Sequence, residues 1–315
     1  MNTNAGEISR RTFFASLAGT LAAVWLAPAG LRAAEKSAPT NLARKAIPST
    51  NETLPVIGLG SWETFDIGSD RVALNGLAEV LRAFFDLGGE LIDSSPMYGS
   101  AELVIGELLK RVGNHDKLFA ATKVWTDGRQ AGISQMGDSL RKWGLARFDL
   151  MQIHNLRDWQ IHLRTLKDWK TEGKIRYLGI TTSHGRFHRE LEEILRREPF
   201  DFVQFSYNIE DRAVEARLLP LAVERGLGVI INRPFQGGAL FRRVKGMALP
   251  DWAADIDCTS WGQLFLKFIV SHPAVTCVIP ATSKVEHLQD NMTAGFSRMP
   301  DIALRKRMAA YFAAL

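Results

Sequence analysis

Short apolar runs that resemble strands alternate with helical patterns along most of this chain, and this alternation limits what it can fold into. Eight strand-like runs follow one another between Val56 and Pro280, each succeeded by a helical pattern. The alternation predicts an α/β fold in which a parallel sheet closes into a (β/α)8 TIM barrel. A doubly wound open sheet usually has fewer strands and a glycine-rich loop after the first. Here Gly58 and Gly60 are not followed by the third glycine of that loop.

The apolar and helical patterns also predict where the elements begin and end. The predicted strands cover 56–60, 91–94, 119–123, 150–154, 177–181, 202–207, 228–232 and 275–280. The predicted helices cover 70–87, 101–111, 134–143, 160–172, 187–197, 213–225, 261–270, 285–295 and part of 300–314. A polar turn at 49–52 separates two short extended pieces, which predicts an N-terminal β-hairpin that caps the bottom of the barrel.

The first residues are expected to be a targeting signal and not part of the folded domain. Arg10 and Arg11 precede an apolar, alanine-rich run, and Ala27-Pro28-Ala29 offers small residues to a signal peptidase. Paired arginines before such a run resemble a twin-arginine export signal, and the run is shorter than the ~20 residues of a membrane span. We therefore expect a signal peptide at 1–34, a tether at 35–45 and the barrel at 46–315. The expected location is the periplasm or beyond, reached through the twin-arginine machinery; a retained amphipathic anchor is the alternative.

Composition sets further limits on function. The chain is 46% hydrophobic and 23% charged, which is enough for one large core, and its formal charge of +5 is modest. No clustered basic face indicates nucleic-acid binding, and no stable membrane insertion of the mature chain is expected. Cys258 and Cys277 have no metal-ligand spacing, so no structural zinc site is expected. One lies in a loop-like stretch and the other inside a predicted strand, so no disulfide is expected either.

Four residues that handle protons stand at or just beyond the ends of three successive strand-like runs: Asp93, Tyr98, Lys123 and His154. The carboxyl ends of barrel strands meet at one mouth, so these side chains are expected to form an active site. A tyrosine has a pKa of about 10, and a neighbouring cation favours its ionised form. Lys123, held by Asp93, is therefore expected to lower the pKa of Tyr98.

Several stretches at these strand ends resemble the aldo/keto reductase family, over roughly residues 44–315. The matching stretches are 54–62, 92–99, 121–125, 151–155, 204–208 and 279–284, and the five-residue step from Asp93 to Tyr98 is the most specific. The resemblance implies that Tyr98 is the general acid, which protonates a carbonyl oxygen while hydride arrives from a nicotinamide ring. It also implies that His154 orients the carbonyl group and stabilises the developing alkoxide.

The resemblance implies two groups of cofactor contacts. Around the nicotinamide it implies contacts from Gly60, Ser61, Trp62, Thr181, Thr182 and Gln204. Thr182 lacks the amide that many members have there, and Asn232 or Arg233 stands where many members stack a tyrosine. Phe235 or Tyr207 is the expected replacement for that ring.

At the adenosine end, the implied contacts are Thr282, Ser283, Lys284, His287, Asp290 and Asn291. A helix N-terminus suits a phosphate group, and Lys284 is expected to pair with a ribose 2′-phosphate. His287 replaces the arginine that the family usually has. NADP is the expected cofactor, with NAD possible.

Three tryptophans, Trp62, Trp125 and Trp159, are expected to wall the mouth against a small-molecule carbonyl substrate. Two alternatives remain open at this point. One is a lyase or aldolase that uses Lys123 as a Schiff-base amine, which requires a neutral lysine. The other is a reductase-like sensor or subunit that holds a dinucleotide with little turnover.

Overall fold

The computed structural model describes residues 41–113, 115–296 and 298–315. Ten strands occur within these ranges: β1 (Arg44–Ala46), β2 (Thr53–Pro55), β3 (Leu59–Gly60), β4 (Leu91–Asp93), β5 (Phe119–Val124), β6 (Phe148–Ile153), β7 (Ile175–Thr181), β8 (Phe202–Ser206), β9 (Gly228–Asn232) and β10 (Cys277–Val278). The α-helices there are α1 (Arg71–Asp86), α2 (Ala101–Val112), α3 (Arg129–Trp143), α4 (Trp159–Thr171), α5 (His188–Arg197), α6 (Leu218–Glu224), α7 (Ala239–Arg243), α8 (Trp261–Val270), α9 (Val285–Thr293) and α10 (Ile302–Ala313).

Strands β3 to β10 form one sheet in chain order, and every neighbouring pair is parallel. Two parallel bridges, Ile57 to Val278 and Gly60 to Ala281, join its first and last strands. The backbones come so close there that a Cβ on Gly60 would lie 2.7 Å from the carbonyl oxygen of Ile279. Closure therefore requires glycine at residue 60, and the predicted (β/α)8 barrel is confirmed.

Two apolar clusters show how the strands alternate between the inside and the outside of the barrel. The inner cluster contains Ile47, Leu54, Leu91, Phe119, Ala121, Leu150, Tyr177, Phe202, Ile230, Cys277 and Ile279. The rings of Phe119, Tyr177 and Phe202 pack against one another there, with centroids 5.4–6.1 Å apart. The larger cluster fills the layer between strands and helices and includes Ile92, Met151 and Val203. Successive strand residues thus serve the two layers in turn.

The predicted N-terminal hairpin is confirmed, with β1 antiparallel to β2. Its residues Ile47 and Leu54 belong to the inner cluster, so the hairpin plugs the end of the barrel where the strands begin. The Lys45 ammonium donates hydrogen bonds of 2.7 Å to the carbonyl oxygens of Val270, His272 and Val275. β1 begins at Arg44, inside the segment expected to be a tether.

Some boundaries differ from the sequence expectation for identifiable reasons. The predicted helix at 213–225 is divided into a 3-10 turn at Ala213–Glu215 and α6, because Arg217 has a non-helical φ of −139°. Pro220 then falls in the first turn of α6, where its missing N–H costs nothing. Helix α3 begins five residues before the predicted start, directly after Gly128 at φ 82°. Helix α7 and a 3-10 helix at Asp251–Ile256 were not predicted.

The expected leader at 1–34 and most of the expected tether lie outside the described residues. Within the described ranges, no helix combines the length and apolar character that crossing a membrane requires. Cys258 and Cys277 are both buried, and neither forms a disulfide.

Candidate active site

A cavity of about 350 Å³ opens at the end of the barrel where the parallel strands finish. Seven residues predicted from the sequence line it: Gly60, Ser61, Trp62, Asp93, Tyr98, His154 and Gln204. They come from β3, β4, β6, β8 and the loops that follow. The structure therefore brings the expected acid, the expected histidine and part of the expected nicotinamide site to one place.

Lys123 and Asp93 form a buried ion pair beneath this cavity. The Lys123 ammonium is 2.5 Å from Oδ2 of Asp93 and donates to the carbonyl oxygen of Ser94 at 2.7 Å. The other carboxylate oxygen of Asp93 accepts hydrogen bonds from the side chains of Gln152 and Gln204, at 2.9 and 3.0 Å. Burial acts to lower the pKa of Lys123, but Asp93 and Tyr98 hold it above its ordinary value. Lys123 is therefore a cation at neutral pH.

Tyr98 lies directly beside this cation, with the Lys123 nitrogen 5.1 Å from the centre of its ring. Burial raises the pKa of Tyr98, Lys123 opposes that shift, and Asp93 adds to it, so that the net direction is upward. The expectation of a lowered pKa is therefore wrong. Its error lay in weighing the cation alone, whereas removing a phenolate from water is the larger effect here. Tyr98 keeps its proton at neutral pH and is held in the acid form.

His154 closes the other side of the cavity and is almost entirely buried. Its ring meets that of Tyr98 edge-on, with centroids 5.8 Å apart, and lies 6.5 Å from the ring of Trp125. Burial, and to a lesser extent Lys123, lowers the pKa of His154 well below 6.5. The imidazole is therefore neutral, with one nitrogen protonated and the other bare.

A tight turn after β4 explains the five-residue step from Asp93 to Tyr98. The N–H of Tyr98 donates to the carbonyl oxygen of Ser95 at 3.0 Å, which closes a β-turn. Pro96 occupies the second position of this turn, where proline is favoured. Gly99 follows at φ 57°, where a Cβ would come within 2.4 Å of the Asp66 side chain. The turn brings the phenol back over the strand end that carries Asp93.

Thr181 and Thr182 at the end of β7 and Gln204 of β8, all predicted nicotinamide contacts, belong to a polar layer at the floor of the cavity, which Gln204 and Asn232 line. Gln204 is nearly fully buried, and its side-chain oxygen Oε1 accepts a hydrogen bond from the side-chain amide of Asn232 at 3.3 Å. Asn232 also donates to the carbonyl oxygen of Thr182 at 3.0 Å. Thr181 accepts from the N–H of Asn155 at 3.2 Å, whereas the buried hydroxyl of Thr182 has no partner in the described part of the chain. The side chain of Asn232 therefore links the end of β7 to Gln204 of β8 through hydrogen bonds within this layer.

The predicted adenosine contacts lie around α9 and not in the cavity lining. Lys284 is the N-cap residue of α9 and is exposed, as are Ser283 and His287, whereas Thr282 and Asn291 are buried. Asp290 accepts hydrogen bonds from Ser260 at 2.6 Å and from Gln263 at 2.7 Å, which ties α9 to α8. Their cofactor roles stay predictions.

The three tryptophans differ in position. Trp62 lines the cavity and is 40% exposed. Trp125 lies beside His154 but is not part of the cavity lining, and the guanidinium of Arg157 covers its ring at 4.8 Å. Trp159 begins α4, packs against the outer core and is not part of the lining.

Sequence reasoning missed several residues of the cavity lining, which include Asn155, Ser183, His184 and Phe241, whereas Asn232 and Arg233, named at the end of β9, do line it. Phe235 also lines the cavity, as one of the two expected replacements for the stacking ring. The other expectation, Tyr207, is wrong: this side chain is fully buried and bonds to Glu215 at 2.5 Å and to Arg305 at 2.7 Å. The run of proline and glycines at 234–238, directly after a strand end, was the available signal for a loop at the mouth.

Comparisons with known proteins agree with this geometry. A sequence profile described as the Aldo/keto reductase family matches residues 56–303. Methylglyoxal reductase YeaE of Escherichia coli (strain K12) is 29% identical over 250 residues, which cover 77% of this chain and 86% of that protein. The NADH-specific methylglyoxal reductase of the same bacterium is 27% identical over 237 residues, covering 62% of this chain and 69% of that protein.

Two solved structures extend the likeness to the fold. An aldo/keto reductase from Klebsiella pneumoniae in complex with NADP and acetate is 25% identical, with a TM-score of 0.69 over 83% of this chain and 93% of that chain. The thermostable aldo-keto reductase Tm1743, in complex with the inhibitor epalrestat, is also 25% identical, with a TM-score of 0.73 over 85% of this chain and 99% of that chain. This chain therefore belongs to the aldo/keto reductase family and is an NAD(P)H-dependent oxidoreductase.

Proposed function

We propose that this protein reduces an aldehyde or ketone to an alcohol with NADPH, and that Tyr98 is the general acid. The observation that carries the proposal is the position of Tyr98 between a buried cation, Lys123, and a neutral imidazole, His154. Tyr98 and His154 face the same cavity. A carbonyl oxygen placed in this cavity would be within reach of both a proton donor, Tyr98, and a hydrogen-bond donor, His154.

The residues present fit a nicotinamide dinucleotide. Gly60, Ser61, Trp62 and Gln204 line the cavity beside Tyr98. Trp62 presents a partly exposed ring, and the Ser61 hydroxyl, which donates to the carbonyl oxygen of Asp93 at 2.9 Å, keeps its oxygen as an acceptor. Lys284 would meet the 2′-phosphate, next to the free N–H groups that begin α9. When bound, the reduced dinucleotide supplies the hydride.

The protonation step is carried by Tyr98. Because its pKa is raised, the phenol is fully protonated at neutral pH and has a proton to donate to the carbonyl oxygen. The tyrosinate that remains lies next to the Lys123 ammonium, which stabilises its negative charge. Asp93 keeps this ammonium in place through their contact at 2.5 Å.

His154 has a different part in the reaction. A neutral imidazole offers a hydrogen bond without competing with Tyr98 as a proton donor. Such a bond to the carbonyl oxygen orients the substrate and stabilises the negative charge that develops on this oxygen.

The Schiff-base alternative is disfavoured by the same geometry. Lys123 is 0% exposed and paired with Asp93, and its pKa is held above the ordinary value. A lysine nucleophile must be neutral and must reach the substrate. Lys123 meets neither condition.

The direct test combines binding with turnover. NADPH is added while tryptophan fluorescence is recorded, since Trp62 lines the cavity. Loss of NADPH absorbance is then followed with a panel of aldehydes and ketones that includes methylglyoxal, the substrate in the names of two relatives. We expect saturable binding and NADPH oxidation with at least one carbonyl compound. Tight binding without oxidation across the panel would favour the sensor alternative.

We also propose export through the twin-arginine route, supported by the sequence pattern around Arg10 and Arg11. The full-length protein is produced in a bacterium with this pathway, and the compartments are separated. We expect the mature chain in the periplasm and the Arg10→Lys/Arg11→Lys variant in the cytoplasm. The same distribution for both would contradict the proposal.

A further inference from the structure

The hydroxyl of Ser95 lies 3.0 Å from Nδ1 of His154. Ser95 is fully buried, and the described residues give its hydroxyl one other partner, the backbone N–H of Met97 at 3.3 Å. That second contact is a local serine turn of a familiar kind. Ser95 has no part in the proposed transfer of a proton from Tyr98.

The two contacts of Ser95 decide where its proton goes. The N–H of Met97 can only donate, so the oxygen of Ser95 accepts there. The hydroxyl proton then needs an acceptor, and Nδ1 of His154 is the one that the described residues provide. If Nδ1 carried a proton itself, the hydroxyl proton of Ser95 would be buried without an acceptor, which is unfavourable.

The direction of this bond fixes the tautomer of His154. A neutral imidazole has one N–H, so a bare Nδ1 places the proton on Nε2. His154 lines the cavity, and no residue in the described ranges forms a hydrogen bond to Nε2. We propose that Ser95 is a positioning residue that holds His154 in the Nε2–H tautomer, so that the ring donates a hydrogen bond to the carbonyl oxygen of the substrate.

The proposal rests on the proposed carbonyl reduction and gives it a further requirement. In the other tautomer, the lone pair of Nε2 would face the oxygen on which negative charge develops. A donor aimed at such an oxygen matters most in the transition state. Loss of the Ser95 hydroxyl should therefore lower kcat and leave the affinity for NADPH unchanged.

The tautomer can be measured in the protein without any ligand. The seven histidines are labelled with ¹⁵N, and two-bond ¹H–¹⁵N correlations distinguish protonated from bare ring nitrogens. The His154 signals are identified by their absence in His154→Gln. We expect a bare Nδ1 and a protonated Nε2 in the wild type, and shifts that move towards averaged values in Ser95→Ala. A protonated Nδ1 in the wild type would overturn the proposal, as would an unchanged pattern in Ser95→Ala.

Kinetics give the second measurement. We expect Ser95→Ala to lower kcat about tenfold, less than the loss of an oxyanion donor, because the imidazole itself remains. Ser95→Thr keeps a hydroxyl and should restore most of the rate. The matched control is Ser139→Ala, which removes another buried serine hydroxyl, bonded to Glu102 at 2.9 Å. An equal effect on kcat from Ser95→Ala and Ser139→Ala would contradict a positioning role.

These results separate the inference from the function on which it rests. A wild-type protein that reduces no carbonyl compound would overturn the proposed function, while the NMR pattern would still decide the tautomer. If Ser95→Ala does not fold, the wild-type spectrum and Ser95→Thr decide between the outcomes.

Discussion

The ammonium of Lys123 lies 2.5 Å from Oδ2 of Asp93, and both groups are buried. Two glutamine side chains complete the hydrogen bonds of the carboxylate. Removing one partner of such a pair leaves a buried charge without compensation and typically costs about 3–5 kcal/mol. The pair therefore has two separable roles: it contributes to folding, and it places a cation beside Tyr98.

A double-mutant cycle separates these roles. Lys123→Met and Asp93→Asn should each lower the free energy of unfolding, because each leaves one buried charge unpaired. The double variant should be more stable than the sum of the two losses predicts. All three should lose at least about 100-fold in kcat, the lower range for proton-transfer catalysis. Chemical denaturation and steady-state kinetics provide the measurements. Additive stability losses, or a single variant with nearly full kcat, would argue against this interpretation.

The pH dependence of reduction follows from the directions of two pKa values. Tyr98 acts as a protonated group, and its pKa is raised above 10.0, so its acid form persists throughout the neutral range. His154 acts as a neutral group, and its pKa lies well below 6.5. We therefore predict that kcat/KM for carbonyl reduction is flat from pH 6.5 to about pH 9, and that it falls only at a pH above the ordinary tyrosine pKa of about 10. A fall in kcat/KM that begins near neutral pH would show instead that Lys123 dominates the pKa of Tyr98.

Substitution of Lys284 provides a test of the preference for NADPH over NADH. It is exposed at the N-cap of α9, where a phosphate would meet both its charge and the free N–H groups of the helix. We predict that Lys284→Ala weakens NADPH binding about tenfold and leaves NADH binding nearly unchanged, since a charge-assisted hydrogen bond is lost. Lys284→Arg serves as the control and should retain the preference. Titrations of both cofactors by fluorescence would refute the 2′-phosphate role if the ratio of affinities stayed constant.

Lys45 tests the plug at the bottom of the barrel. Its ammonium donates to three carbonyl oxygens between Val270 and Val275, which fixes the hairpin to the segment after α8. We predict that Lys45→Met lowers the free energy of unfolding by about 1–3 kcal/mol, because these buried acceptors lose their donor. The kcat of this variant at 25 °C should equal that of the wild type, because the hairpin lies at the end of the barrel opposite the cavity. Lys110→Met, an exposed change on α2, should alter neither stability nor activity.

The sequence was sufficient to predict those site residues that stand at the ends of barrel strands. Asp93, Lys123 and His154 could be placed at one mouth because parallel strands finish at the same end of a barrel. The direction of the Tyr98 pKa could not be predicted, because it depends on how deeply the phenol is buried. Tyr207 was misplaced because a residue at a strand end can point either towards the cavity or into the core. The Ser95–His154 contact joins residues 59 positions apart, and no local pattern indicates it.

Tyr98→Phe tests the central claim most directly. The change removes the hydroxyl and keeps the ring, so the contacts of the aromatic face with Lys123 and His154 can persist. NADPH affinity and NADPH oxidation with the best carbonyl substrate are measured on the same preparation. We predict an affinity within about twofold of the wild type and a kcat reduced by at least about 1000-fold, as expected for a lost general acid. A kcat above a tenth of the wild-type value, or a parallel loss of binding and turnover, would contradict the assignment of Tyr98 as the proton donor.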